Sequence, residues 1–223
     1  MIVLVDKQDK RYLKFKKMVS DPIYGSVGIT ENELYVIETP VFQRLRHIKQ
    51  LGASFFVYPS ATHSRFSHSI GAMFIMGKIA ERLYEIDHIT DYDEVEKLRL
   101  AALLHDIGHY PFSHCLEQPI QKHSHNKEGS HEKLSVDFIL KTSIKDKLDQ
   151  NYNPQEIVSI INKTTTNHLY SVLLSSDFDA DRADYLIRDA HATGVSCGFI
   201  DIDRLISTLT IANNHLAVED KGR

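Results

Sequence analysis

The stretch Leu98-Arg-Leu-Ala-Ala-Leu-Leu-His-Asp-Ile-Gly-His-Tyr-Pro-Phe-Ser-His114 decides how this chain is organised. It begins as an apolar run typical of a buried helix, and His105 and Asp106 stand side by side where that run ends. Glycine loosens the backbone, so we expect the helix to run from residue 95 to Gly108. Two further histidines follow within nine residues of His105, namely His109 and His114. The stretch therefore predicts imidazoles and a carboxylate placed to bind a metal and to transfer protons.

The composition is that of a globular protein. The chain has 223 residues, of which 42% are hydrophobic, enough for one large domain or two small ones. No stretch reaches the roughly 20 apolar residues of a membrane span, so we expect no membrane partner. A net charge of −4 argues against nucleic acid as a partner. Cys115 and Cys197 lack motif spacing, and we interpret them as buried side chains of a cytoplasmic protein.

Local signals along the chain predict a mainly α fold. Thr30-Glu-Asn-Glu33 is typical of a capping box that opens a short helix. Thr39-Pro40 can start a second helix, which we expect to continue to Gly52. A third helix with an apolar stripe begins near Arg65. The polar residues 118–130 are predicted to form a loop.

Three segments are expected along the chain. Residues 1–38 form an N-terminal segment that packs on the core, residues 39–200 form the helical catalytic core, and residues 201–223 start a C-terminal region. Residues 208–218 predict a small β-hairpin near the C-terminus, with its turn at Asn213-Asn214. Because a single hairpin is only marginally stable, we expect its partner elements downstream, in a longer protein.

A later stretch, Leu173 to Asp189, concentrates acidic residues on one helical face. The charged residues that recur there at helical spacing are Asp177, Asp181, Asp184 and Arg188. Like charges one turn apart destabilise an isolated helix. We therefore expect positive charge close to this face, and a metal ion is one source of it.

His105 and Asp106 can form only part of a metal site. Neighbours on a straight helix diverge by about 100°, so the two side chains can share one ion only at a helix end. A histidine from an earlier helix and a carboxylate from a later one would complete the site, and His68 and Asp181 meet these conditions. Such a ligand set suits manganese, iron, zinc, nickel or magnesium, without choosing among these divalent ions.

These residues follow the His…His-Asp…Asp pattern of the HD-domain metal phosphohydrolases, and the chain resembles in particular the deoxynucleoside triphosphate triphosphohydrolases. The segments that carry the resemblance, in the family's order, are Asp21–Gly25, Thr39–Gly52, His63–Gly71, His105–His114, Ser130–Glu132 and Asp179–Asp189. The resemblance implies an HD-domain helical bundle that hydrolyses deoxynucleoside triphosphates. In such a reaction water attacks the α-phosphorus, and deoxynucleoside and inorganic triphosphate are released.

The resemblance also implies a role for each matching residue. The positions of metal ligands are held by His68, His105, Asp106 and Asp181. The catalytic positions near the phosphate chain are held by His109, His114, His131 and Glu117, the last where relatives often have aspartate. The positions of phosphate contacts are held by Arg65 and Arg182. The positions that read the sugar are held by Gln50, Tyr185 and Asp189, and a tyrosine packed at C2′ would exclude a ribose hydroxyl.

Regulation is a further implication of the resemblance. Some relatives bind a second nucleotide at an allosteric site and assemble into tetramers. Asp21, Gln43 and Arg46 match positions used at that site, so the resemblance implies an allosteric nucleotide and a homo-oligomeric full-length protein.

Two alternatives stay open at the level of sequence. The first is another HD-type activity, a nucleoside monophosphatase or an alarmone hydrolase, which shares the ligand pattern. Such enzymes lack the Gln43–Arg46 and Asp181–Tyr185 segments found here. The second is a non-catalytic nucleotide sensor, which the intact ligand set disfavours.

Overall fold

The structure is a computed structural model. It describes residues 12–112, 114–123, 130–174, 178–196, 198, 200–212 and 215–219. Within these ranges no helix is both long enough and apolar enough to cross a membrane. The described part of the chain is mainly helical, as predicted, and its strands form two separate antiparallel pairs.

The first pair joins strand β1 (Phe15–Asp21) to strand β2 (Gly25–Thr30). This hairpin is not among the predicted elements. Its strand β2 buries Val27 and Ile29 against the helices, whereas β1 is mostly exposed and shows no apolar alternation. The segment Asp21–Gly25 forms the hairpin's turn.

Two short helices follow the hairpin. Helix α1 (Glu31–Ile37) begins at the predicted capping box, in which Thr30 and Glu33 each bond the other's backbone N–H. Helix α2 (Pro40–Gln43) begins at Thr39 as predicted, but the continuous helix expected up to Gly52 is wrong. The chain continues as a 3₁₀ turn to His47 and then extends. Around Ile48 the backbone bonds the segment 63–65, which replaces the missing helical hydrogen bonds.

Helix α3 (Arg65–Glu85) lies at the centre of the fold. It packs against helix α4 (Tyr92–Leu104) and helix α10 (Ala180–Thr193). Helix α4 ends at Leu104, earlier than the predicted Gly108, so His105 is the residue that caps it and Asp106 lies beyond the helix. This arrangement places the ends of three helices around one point.

The remaining elements surround this centre. They are α5 (His114–His123), α6 (His131–Lys141), α7 (Ser143–Leu148), α8 (Pro154–Ile161), α9 (His168–Leu174), α11 (Ile202–Ser207), β3 (Leu209–Ala212) and β4 (His215–Val218). Helix α5 corrects the predicted loop over 118–130, of which 124–129 are outside the described residues. The C-terminal hairpin β3–β4 is confirmed, while its predicted turn at Asn213-Asn214 lies outside the described residues. Cys115 is exposed rather than buried, and Cys197 and Asp177 are not described.

Candidate metal centre

His68 enters the site from the first turn of α3. Ser64 caps this helix by accepting a hydrogen bond from the Ser67 N–H, which fixes where the helix begins. The His68 side chain is fully buried, and its Nδ1 lies 2.8 Å from Asp184 Oδ2. Its other ring nitrogen, Nε2, lies 3.0 Å from Asp181 Oδ1. The ring is therefore oriented between two carboxylates of α10.

His105 enters from the end of α4 and faces the same carboxylate. Its Nδ1 lies 2.7 Å from the Ala102 carbonyl oxygen, which directs the opposite edge of the ring outwards from the helix. There its Nε2 lies 3.4 Å from Asp181 Oδ1. Helix α4 thus supplies a second imidazole to the point that His68 reaches from α3.

The donor set suits a divalent cation. One ligand atom from each of His68, His105 and Asp181 lies within 4.8 Å of the other two. Neither imidazole Nε2 has a hydrogen-bond partner among the described residues, although both are buried. A metal ion would satisfy two buried ring nitrogens that lack hydrogen-bond partners and face one carboxylate.

The electrostatic field at this site also favours a bound cation. Burial lowers the pKa of His68, but Asp181 and Asp184 outweigh it and raise the pKa to about 10. Burial likewise lowers the pKa of His105, and Asp106 and Asp181 raise it to about 9. A field negative enough to hold protons on both imidazoles at neutral pH can hold a metal cation in their place.

Asp106 lies at the side of this group. Its Oδ2 is 3.8 Å from His68 Nε2, and its Oδ1 is 3.5 Å from His105 Nε2. Oδ2 also forms an ion pair with Arg65, whose side chain is only 4% exposed. The structure therefore brings all four predicted ligands together, and it ties the predicted phosphate contact Arg65 directly to one of them.

Two further predicted residues, His109 and His131, form a stacked pair beside Asp106. Their ring centroids are 4.1 Å apart with an interplanar angle of 13°. His109 Nε2 lies 3.3 Å from Asp106 Oδ1, and burial lowers the pKa of His109 to about 4. His109 is therefore neutral at neutral pH, with a ring able to accept a proton.

Arg44 holds this corner in place, a role that the sequence did not reveal. Its guanidinium donates to the carbonyl oxygens of Ile107 and His109, the latter at 2.6 Å. Arg44 is not among the candidate site residues that the sequence indicates. Because Arg44 bonds backbone carbonyls that are remote in the chain, no local sequence pattern predicts this role.

Two of the predicted sugar-reading residues, Gln50 and Asp189, are linked by a histidine. His63 Nε2 lies 2.8 Å from Asp189 Oδ1, and the His63 carbonyl accepts a hydrogen bond from the Gln50 backbone N–H. The Gln50 side-chain Oε1 is buried without a partner among the described residues, as expected of a group that awaits a ligand. Tyr185 lies one turn before Asp189 on α10.

Three predicted site residues remain, Arg182, His114 and Glu117. Arg182 follows Asp181, and its side chain is about half exposed. The side chains of His114 and Glu117 lie outside the described part of the structure, so their roles stay predictions.

A cavity of about 470 Å³ opens over three of the four predicted metal ligands. Its described lining residues are His105, Asp106, His131, Glu132, Ile161, Asn162, Lys163, Leu174 and Asp181. Lys163, in the loop after α8, is the one lysine or arginine among the described lining residues, and it was not predicted. Only the fold brings this loop to the metal ligands, so spacing could not have found it.

Gln43 and Arg46, two of the predicted allosteric contacts, line a second cavity of about 250 Å³. Arg46 Nε donates to Gln43 Oε1 at 2.7 Å. Asp21 also lines this cavity, but its carboxylate already accepts from the backbone N–H groups of Ile23 and Tyr24 and from Arg188. The structure thus gives Asp21 an internal role.

Comparisons with known proteins agree with this architecture. The family model described as HD domain matches residues 65–189, which run from Arg65 to Asp189 and include all four predicted metal ligands. An uncharacterized protein of Methanocaldococcus jannaschii is 41% identical over 87% of this chain and 38% of its own length. The deoxynucleoside triphosphate triphosphohydrolase SAMHD1 of Mus musculus is 31% identical over 99% of this chain and 38% of its own.

A solved phosphohydrolase structure from Bacteroides thetaiotaomicron superposes with a TM-score of 0.81 at 36% identity, covering 92% of this chain and 49% of the other. The chain thus spans about two fifths to one half of the length of these relatives. With the ligand pattern, the helical fold and the family match in agreement, the chain belongs to the HD-domain family.

Proposed function

We propose that this chain carries the catalytic centre of a metal-dependent hydrolase that splits deoxynucleoside triphosphates into deoxynucleoside and inorganic triphosphate. The observation that carries this proposal is the pair of buried, unpartnered imidazole nitrogens of His68 and His105 facing Asp181 below an open cavity. The similarity to mouse SAMHD1, along almost the whole chain, favours this substrate class.

The residues divide the work by position. His68, His105, Asp106 and Asp181 would hold the cation. A bound divalent cation would neutralise phosphate charge and lower the pKa of bound water. Arg65, paired with Asp106, adds a fixed positive charge close to the phosphates.

Proton transfer falls to the histidines beside Asp106. His109 lies 3.3 Å from Asp106 Oδ1, and its imidazole can accept a proton from water when it is neutral. Its stacking on His131 keeps the ring in one orientation. We assign His114 and Glu117 to the same task by resemblance alone.

Sugar selection is assigned to the other end of the site. The Oε1 of Gln50 has no partner among the described residues and can accept a hydrogen bond from a sugar hydroxyl. The Asp189 carboxylate is held in place by its contact with His63. We propose that Tyr185 packs against C2′ and leaves no room for a 2′-hydroxyl.

Product analysis tests the proposed function. Purified protein, loaded in turn with each candidate metal, is incubated with the four deoxynucleoside triphosphates, and the released phosphates are separated. Inorganic triphosphate with free deoxynucleoside is the expected result. Orthophosphate from monophosphates, or pyrophosphate from an alarmone, would instead identify one of the alternative phosphohydrolases. Tight nucleotide binding with no product from a metal-loaded, full-length protein would identify a sensor.

Replacing Lys163 with glutamate is expected to weaken substrate binding. Because Lys163 is the only lysine or arginine among the described residues lining the cavity, we propose that it contacts the leaving triphosphate. A hydrogen bond to a charged group contributes about 1.5–3 kcal/mol, so we expect KM to rise roughly 10- to 100-fold. Metal affinity should not fall, because the added carboxylate does not repel a cation. Steady-state kinetics measure KM, and calorimetry measures the affinities for inorganic triphosphate and for the metal.

The matched control is Lys141→Glu, which reverses the charge of an exposed lysine on α6 that pairs with Asp137. It should leave KM and triphosphate affinity unchanged. An unaltered KM in the Lys163 variant would remove this residue from the substrate site.

We also propose that the cavity lined by Gln43 and Arg46 binds a second nucleotide and that the full-length protein is a homo-oligomer. The Arg46 guanidinium at its wall, held by Gln43, supports the first part, because a guanidinium can bond a phosphate. A nucleotide that is not hydrolysed, yet raises triphosphate release and the oligomer mass together, is the expected observation.

A further inference from the structure

The ring nitrogen of His68 that faces away from the candidate metal is bound to Asp184. His68 Nδ1 lies 2.8 Å from Asp184 Oδ2, and both side chains have 0% exposure. A carboxylate can only accept, so this contact places the proton of the neutral imidazole on Nδ1. The lone pair is then left on Nε2, the atom that faces Asp181.

Asp184 is itself fixed by two donors. Arg188, one turn further along α10, donates from Nε and Nη2 to both oxygens of Asp184, at 2.8 and 2.9 Å. The hydroxyl of Tyr24 donates to Asp184 Oδ1 at 2.8 Å. With His68 these groups satisfy both oxygens, so the carboxylate has no freedom to rotate.

The chain of contacts continues into the first β-hairpin. Arg188 Nη1 donates to Asp21 Oδ2 at 2.9 Å. The other Asp21 oxygen accepts the backbone N–H groups of Ile23 and Tyr24, at 2.9 and 3.1 Å. The turn of the hairpin is therefore joined to His68 through three buried charged side chains.

Close contact between α3 and α10 makes this arrangement possible. A Cβ on Gly71 of α3 would overlap with Asp184 and with Arg188, lying 2.6 Å from Asp184 Cγ. Only glycine leaves room for this carboxylate–guanidinium pair against the helix that carries His68.

We propose that Asp184 is a positioning residue that sets the tautomer and orientation of His68 for metal binding, and that Tyr24, Arg188 and Asp21 hold Asp184 in place. The proposal rests on the proposed metal-dependent function, and it extends the metal centre to the turn of the first hairpin. Carboxylates that orient a metal-binding histidine commonly contribute 10- to 100-fold to metal affinity or activity.

Metal titration into the metal-free protein tests this proposal without any substrate. Asp184→Asn should weaken manganese binding about 10- to 100-fold, because the amide can donate to Nδ1 and move the ring proton to Nε2. Tyr24→Phe should cause a smaller loss in the same direction. Histidine ¹⁵N NMR, recorded at a pH where His68 is neutral and assigned with His68→Gln, should show the change of tautomer in Asp184→Asn, a signal that a purely structural role would not move.

Tyr152→Phe is the matched control. The Tyr152 hydroxyl donates to Glu96 Oε2 at 2.6 Å, another partly buried tyrosine–carboxylate bond, away from the metal ligands. It should lower the melting temperature about as much as Tyr24→Phe, with metal affinity unchanged.

Wild-type metal affinity in both Asp184→Asn and Tyr24→Phe would overturn the positioning role. An equal loss of metal affinity in Tyr24→Phe and Tyr152→Phe would overturn it as well. Failure of the proposed function would show differently, as metal binding by the wild type without release of triphosphate.

Discussion

Asp106→Ala is expected to lose both the metal and turnover. The substitution removes one of the two carboxylates, Asp106 and Asp181, that face Nε2 of His68 and of His105. It also removes Asp106 from its ion pair with the buried guanidinium of Arg65, so that less negative charge offsets a positive charge that repels the cation. Loss of about 4 kcal/mol of transition-state stabilisation corresponds to a roughly thousandfold lower kcat/KM. Metal content after dialysis and the rate of triphosphate release measure both effects.

Loss of folding has to be separated from loss of chemistry in this variant. Removing one partner of a buried ion pair costs about 3–5 kcal/mol, so Asp106→Ala will also melt at a lower temperature. The double variant Asp106→Ala/Arg65→Met removes the buried charge and should recover stability but not metal binding. Asp149→Ala, which breaks an exposed pair with Lys145, should change neither property. Full activity of Asp106→Ala would contradict the assignment of the metal ligands.

Capping residues explain which parts of the fold were predictable from sequence. The Thr30–Glu33 capping box and the Thr39-Pro40 start act through their own backbone neighbours, and both helices begin where predicted. The continuation to Gly52 is wrong, because the Ile48 carbonyl accepts from the Arg65 N–H and the Gln50 N–H donates to the His63 carbonyl, both in a remote segment. Local rules cannot anticipate a partner that the tertiary fold supplies.

The candidate site shows the same division. The ligand pattern identified His68, His105, Asp106 and Asp181, and the structure brings them together. Their supporting contacts were not predictable. Asp184 was expected to need a positive neighbour, and the fold supplies Arg188 and the ring of His68 rather than the metal.

Gly108→Ala is expected to destabilise the protein and reduce turnover while leaving the metal bound. Gly108 was expected to loosen the backbone after His105, but its structural role is contact with α6. A new Cβ would overlap with the His131 carbonyl oxygen and the Ser135 backbone nitrogen, and no side-chain rotation can relieve a clash with backbone. The Gly108 N–H also donates to Ser135 Oγ at 2.9 Å, and that hydroxyl donates to the His105 carbonyl at 3.0 Å.

The contacts between Gly108 and Ser135 hold α6, and with it His131, against His109. Overpacking of this kind costs about 1–3 kcal/mol, which lowers the melting temperature by roughly 2–12 °C in a chain of this size. Turnover should fall further than the loss of stability explains, because displacing α6 breaks the His109–His131 stacking, whereas none of the predicted metal ligands lies on α6.

Gly194→Ala is the control. Gly194 has φ +74° and no atom within 4 Å of a new Cβ, so this substitution adds backbone strain without a clash. Differential scanning calorimetry, metal analysis and triphosphate release measure stability, metal content and turnover in both variants. An equal loss of turnover in the two variants would refute a specific role for the contact between Gly108 and α6.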